Sequence, residues 1–182
     1  SEFSKGCYGY DQFKESLKHF VSRNAMDIEG LGSKTIDALI SNKFISSITD
    51  LYSLDINQLL SLEGFAEKSA KNLIDSISKS KETELYRFIY SLGIKGIGLQ
   101  TSKNIAKELG TLENIIKTNY ERFIQVEDIG EVAASNLVSF FTSQKYLQIL
   151  ENFKNLNFNL SNEISNNQES HLQNKKIVIT GT

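Results

Sequence analysis

Ile94-Lys95-Gly96-Ile97-Gly98-Leu99-Gln100-Thr101-Ser102 is the stretch from which the rest of the chain can be read. It sets an apolar residue before a tight turn, wedges Ile97 between two glycines, and then starts a helix. Gly96 and Gly98 can take positive φ at little steric cost and leave their backbone amides bare. A helix that follows such a turn begins with N–H groups that have no internal partner. Turn and helix start together offer a cluster of donors to an anion. The anion that recurs at fixed spacing along a polymer is the nucleic-acid phosphate.

The turn repeats. Thirty-two residues earlier stands Leu62-Glu63-Gly64-Phe65-Ala66, and thirty-four before that Ile28-Glu29-Gly30-Leu31-Gly32. Thirty-two residues later stands Val126-Glu127-Asp128-Ile129-Gly130. A near-constant period is the signature of a repeat architecture, each copy being one supersecondary unit. Every copy keeps an apolar first position, an apolar wedge (Leu31, Phe65, Ile97, Ile129) and a helix-forming run afterwards. Ala66 replaces the second glycine of copy two, and Asp128 replaces the first glycine of copy four.

The surrounding periodicity predicts an all-α chain. A helix is expected over 12–25, with Phe13, Leu17, Phe20 and Val21 on one stripe. Ser33 is expected to cap a helix over 34–40. Short helices follow at 45–51 and 57–60, then a longer one at 67–78. The lead-in to copy three is expected as a helix over 82–92 and its partner over 101–109, stopped by Gly110. Thr111 caps 112–116, 120–125 leads into copy four, and 131–141 leaves it with Val132, Leu137, Val138 and Phe141 on its apolar side. The last helix is expected over 146–156. Beyond it, 161–174 is rich in Asn, Ser, Gln and Glu and reads as a linker, and 175–182 (Lys-Lys-Ile-Val-Ile-Thr-Gly-Thr) reads as a strand entering a turn.

Composition narrows the function classes. Among 182 residues, Lys and Arg number 20 against 22 Asp and Glu, a net charge of −2. A nucleic-acid-binding chain usually carries a basic excess, so any grip on phosphate here must be local. Few neutralised phosphates mean modest affinity and a shallow salt dependence, about −0.9 in log–log slope per contact. No apolar run is long enough to span a bilayer and no signal-peptide pattern opens the chain, which makes the cytoplasm the expected location. The single cysteine, Cys7, excludes an internal disulfide framework. The two histidines, His19 and His171, share no metal-ligand spacing. No Lys-x-Asp-Gly stretch of a nucleotidyltransferase is present, so the chain itself carries no catalytic residue and needs no cofactor or metal of its own.

With these motifs in place, the chain resembles bacterial NAD-dependent DNA ligases in their helix-hairpin-helix domain. Lys18 to Gly32 resembles the segment entering that domain, and Leu62 to Ala70 and Ser91 to Gly98 match it in the same order. The similarity covers about Gln12 to Phe158, and Leu172 to Gly181 resembles the first strand of the BRCT domain that follows in those ligases. The resemblance implies four tandem helix-hairpin-helix motifs over 12–160, a zinc-module junction over 1–11, a linker over 161–174 and a truncated BRCT strand over 175–182. Cys7 is the candidate leftover ligand of the family's four-cysteine zinc module; no further cysteine is present to complete it, so zinc is doubtful.

The family's activity is nick sealing in replication and repair. A lysine in another domain takes AMP from NAD, and magnesium assists the closing step. This portion would hold nicked double-stranded DNA across the minor groove without reading sequence, beside other domains of the same ligase chain in a bacterial nucleoid. The DNA-binding candidates are Gly30, Gly32, Gly64, Ala66, Gly96, Gly98 and Gly130 for their amides, Lys34, Lys68 and Lys103 for charge, and Thr101 and Ser102 for hydroxyl donors. Two alternatives stay open: a helix-hairpin-helix module of another repair protein, of nuclease or junction-binding type, and a helical repeat that binds only protein.

Overall fold

The computed structural model describes residues 9–162. Cys7 and the strand expected at 175–182 lie outside them, as does all but the start of the expected linker. The first helix, α1 (Gly9–Val21), buries Phe13, Leu17, Phe20 and Val21, the stripe that its spacing predicts. It stops at Val21, short of the expected Ala25. Ser22 turns its hydroxyl onto the His19 carbonyl at 2.6 Å, a local bond that competes with the helix ladder. Arg87 then takes the carbonyls of Arg23 and Ala25 at 2.9 and 3.3 Å.

Helix α2 (Ser33–Ser41) is capped by Gly32, so Ser33 is the first helical residue and makes no capping bond. A 3-10 turn at Ile48–Ser53 is held by Asp50, whose carboxylate accepts from the amides of Ser46 and Ser47. Asp55 and Gln58 form a reciprocal capping box that starts α3 (Ile56–Leu60), each satisfying an amide the helix leaves open. Helix α4 (Glu67–Lys79) follows with Ala70, Leu73 and Ile77 buried.

The expected helix over 82–92 is shorter than its apolar pattern implied. Glu82–Glu84 is a strand, β1, and helix α5 begins only at Leu85, running to Ser91. The partner of β1 is β2 (Asn159–Ser161), parallel and in register Glu82 with Asn159 and Glu84 with Ser161. Parallel pairing needs a long crossover, and here the crossover is the second half of the molecule: α5, α6 (Leu99–Leu109), α7 (Leu112–Ile116), α8 (Tyr120–Phe123), α9 (Glu131–Thr142) and α10 (Gln144–Asn155). Gly110 ends α6 at φ 82°, and Thr111 caps α7 through the Asn114 amide, both as expected.

Aromatic rings join the two halves. Phe20 of α1 stacks on Phe153 of α10 with centroids 5.7 Å apart, and Phe88 of α5 meets the same ring edge-on at 5.1 Å. Tyr52 and Phe158 close the group at 5.0 Å. Phe20, Phe88 and Phe153 are almost wholly buried, and aromatic burial on this scale dominates local packing energy. The halves therefore share one core.

Candidate nucleic-acid interface

The four turns have one backbone shape. Gly30, Gly64, Gly96 and Asp128 take φ of 91°, 90°, 84° and 69°. The following turn position is extended in every copy, with φ of −79° at Gly32, −110° at Ala66, −88° at Gly98 and −91° at Gly130. Only the first position therefore uses the freedom of glycine; the second is open to any side chain, which is why Ala66 fits. Asp128 occupies a left-handed position that aspartate tolerates better than most residues.

These eight turn positions are solvent-exposed, while the wedges Leu31, Ile97 and Ile129 are buried and Phe65 is half-buried. The wedge pins each turn to the core and leaves its backbone outside. In copy three the Ile97 amide closes the turn onto the Ile94 carbonyl at 3.0 Å. The helix ladder then begins with Ser102 donating to Gly98 at 2.9 Å, and copies one, two and four begin identically at Gly32, Ala66 and Gly130. Among the described residues no hydrogen bond pairs the amides between turn and first ladder bond, apart from that of Ala66, whose N–H is taken by Ser69 Oγ at 3.0 Å.

The side chains divide the copies. Lys34 and Lys68 are exposed two residues past the second turn position of copies one and two. Lys103 is held differently, with its Nζ 5.2 Å from the centroid of the Tyr86 ring, which Arg87 also faces at 5.8 Å. Thr101 is half-buried. Ser102 is a correction to the sequence reading: it is fully buried, and its hydroxyl donates to the Gly98 carbonyl at 2.9 Å, so it has nothing to offer a phosphate. Copy four carries Glu127, Asp128 and Glu131 around its turn, and Val132, expected on the apolar side of α9, is 75% exposed.

Two asparagines tie the later turns together. Asn136 of α9 donates to the Lys95 carbonyl in turn three at 2.9 Å. Asn104 of α6 donates to the Glu127 carbonyl and the Asp128 carboxylate in turn four, both at 3.1 Å, and Gln100 supports its side-chain oxygen. Each asparagine lies six residues past the second turn position of its own copy, a spacing visible in the sequence but not singled out there. The earlier pair is joined otherwise: the Glu29 amide donates to Ser76 of α4 at 3.2 Å, and Gly30 sits over Leu73.

Four left-handed turns, each feeding an open helix start and packed in two successive pairs, define a tandem helix-hairpin-helix protein. Family models agree, one described as a SAM-like helix-hairpin-helix tandem over residues 22–79 and one as a helix-hairpin-helix motif over 87–150. Both halves of the chain thus match helix-hairpin-helix motifs, and the chain is also similar to DNA ligases. It is 42% identical over 179 residues to the DNA ligase of Francisella philomiragia, covering 97% of this chain and 26% of that protein. It is 40% identical to the DNA ligase of Oceanobacillus iheyensis and 37% identical to that of Clostridium perfringens, over 93% and 100% of this chain. The chain spans about a quarter of the length of the curated relatives it matches.

Among the described residues no helix is long and apolar enough to cross a membrane. Among the same residues no three of His, Cys, Asp and Glu stand close enough to hold a metal ion, so they supply no donor set for a zinc ion.

Proposed function

We propose that this domain grips duplex DNA by its phosphates, without reading base sequence, as the helix-hairpin-helix part of an NAD-dependent DNA ligase acting at nicks in replication and repair. The carrying observation is the recurring exposed turn whose amides lead into an open helix start, in a chain similar to DNA ligases. Backbone N–H groups and helix starts bind phosphate oxygens and carry no base information. Turn three is the strongest phosphate site: exposed Lys95 gives it positive charge and the turn itself carries no carboxylate, Glu15 of α1 being the one acidic residue that lines the same cleft as Gly96 and Gly98. Turn one adds Lys34 and turn two Lys68. Turn four places three carboxylates where a phosphate approaches, and like charges repel.

NAD and magnesium would serve adenylation and sealing elsewhere in the parent enzyme. A soluble protein of the bacterial cytoplasm, held near the nucleoid by this contact, is the matching cellular reading.

The test is fluorescence anisotropy with nicked duplexes of unrelated sequence. The expected result is weak, salt-sensitive binding of similar strength to each. Gly98 has extended φ and nothing within 4 Å of a Cβ placed on it, so Gly98→Val should keep the melting temperature while weakening binding at least tenfold by filling the space before the amides. A parent indifferent to DNA and salt would overturn the reading in favour of a protein-binding repeat.

A further inference from the structure

We propose that Asn136 is a positioning residue for DNA binding, aiming the Gly96 N–H at the phosphate by holding the Lys95 carbonyl. This rests on turn three being a phosphate site. Ile94 to Ile97 is a β-turn closed by the Ile97 amide, and the peptide joining Lys95 to Gly96 lies at its centre. A trans peptide is planar with its C=O and N–H on opposite sides. Whatever holds the Lys95 oxygen therefore sets the direction of the Gly96 hydrogen.

That central peptide has two stable orientations, which distinguish type I from type II turns, and only type II puts the third residue at positive φ. Gly96 at φ 84° is in the second state. Glycine populates either sign of φ readily, so residue 96 itself does not select the state. The Asn136 amide does. A carbonyl oxygen can only accept, so it is the NH2 of Asn136 that faces Lys95, at 2.9 Å. With its oxygen held against α9, the peptide turns its N–H away from that helix, where no acceptor among the described residues meets it. A hydrogen bond to the carbonyl also polarises the N–H of the same peptide unit, strengthening it as a donor.

The bond lies at the surface, where water could satisfy the Lys95 oxygen equally well. Its net contribution to folding is accordingly small, and what it uniquely supplies is direction. Asn104 does the same for the central peptide of turn four, the Glu127 carbonyl being its acceptor. In the earlier pair the corresponding residues are Ala38 of α2, which has no donor, and Asn72 of α4, which lines the same cleft as Gly30 but makes no hydrogen bond to turn one. Copies three and four are thus paired so that each helix sets the other's turn, and copy four serves DNA through Asn136 even though its own turn is acidic.

The experiment uses the whole 182-residue chain and a nicked duplex, comparing the parent with Asn136→Ala and the near-isosteric Asn136→Leu. Expected are affinities about five- to tenfold weaker, the worth of one hydrogen bond, with a salt slope shallower by about one contact. Melting temperatures should stay close to the parent, and the Gly96 amide resonance should move in a 15N-correlated spectrum of the free protein. Packing loss alone would lower the melting temperature of Asn136→Ala more than that of Asn136→Leu and would spare the Gly96 signal. Parent-like binding by a folded Asn136→Leu overturns the proposal alone. A parent that binds no duplex overturns the DNA reading and this proposal with it.

Discussion

Asp128 bends the chain at φ 69° in the place where Gly96 bends it at 84° one repeat earlier. The aspartate accepts left-handed strain at a position glycine occupies freely, and Asn104 offsets it by holding both its carboxylate and the preceding carbonyl. Asp128→Gly should relieve the strain and remove a charge facing the phosphates. A unit charge at about 4 Å in water is worth about 1 kcal/mol, so duplex affinity should rise about two- to fivefold. Anisotropy at two salt concentrations checks this, with the gain larger at low salt.

The two glycines of turn three should respond unequally to the same small change. Gly96→Ala forces an alanine into the left-handed region and should cost about 1–2 kcal/mol. Gly98→Ala is expected within about 0.5 kcal/mol of the parent, its backbone being extended and its surroundings empty. Urea denaturation of the two variants side by side measures the difference.

Tyr52 predicts an alkaline limit. Its hydroxyl meets Ser80 Oγ at 2.7 Å, and because Ser80 gives its own hydrogen to the Ile77 carbonyl, Tyr52 is the donor. Burial raises its pKa well above the usual phenol range, outweighing the opposing effect of the Ser80 bond. In the unfolded chain the phenol ionises near pH 10, while the folded one stays protonated. Above that pH the unfolded state binds fewer protons, so stability falls as pH rises, by up to about 1.4 kcal/mol per pH unit. Tyr52→Phe should cost about 1 kcal/mol at neutral pH and flatten the loss between pH 10 and 11, as followed by urea midpoints.

Asp37 predicts the acid side. Lys14 and Tyr10 of α1 both donate to its carboxylate, at 2.8 and 2.9 Å, tying α1 to α2. The Lys14 bond, then the Tyr10 bond, lowers the Asp37 pKa. A carboxylate with a depressed folded pKa contributes above its unfolded value, near pH 4, and loses that contribution as pH falls further. Asp37→Asn should therefore be slightly less stable at pH 6 and show a shallower acid decline in pH-dependent thermal melts.

The turns were legible because their constraint is local: an apolar wedge, a left-handed residue and a helix start fall within six positions. Gly110 and Thr111 were legible for the same reason. The strand pair was not. Glu82-Thr83-Glu84 shows no alternation of apolar and polar residues, and its partner lies more than seventy residues away, so no local pattern announces it. Ser102 was misread although its signal was present, since it shares a helical stripe with Ile105 and Leu109. Val132 was misread in the other direction, because a helix start exposes positions that later turns would bury. Asn104 and Asn136 needed the fold, because each acts on a carbonyl in the other repeat.

Asn162, the residue after β2, donates to the carbonyls of Ala106 and Gly110 at 2.8 and 3.0 Å. It thereby anchors the departing chain at the C-terminal end of α6, while turn three stands at the N-terminal end. An eleven-residue helix is about 16 Å long, and that stiff rod separates the anchor from the amides. A tug on the polypeptide past Asn162 would first load the short parallel ladder and this anchor. A load applied there reaches the amides of turn three only through the length of α6 and the core that packs against it.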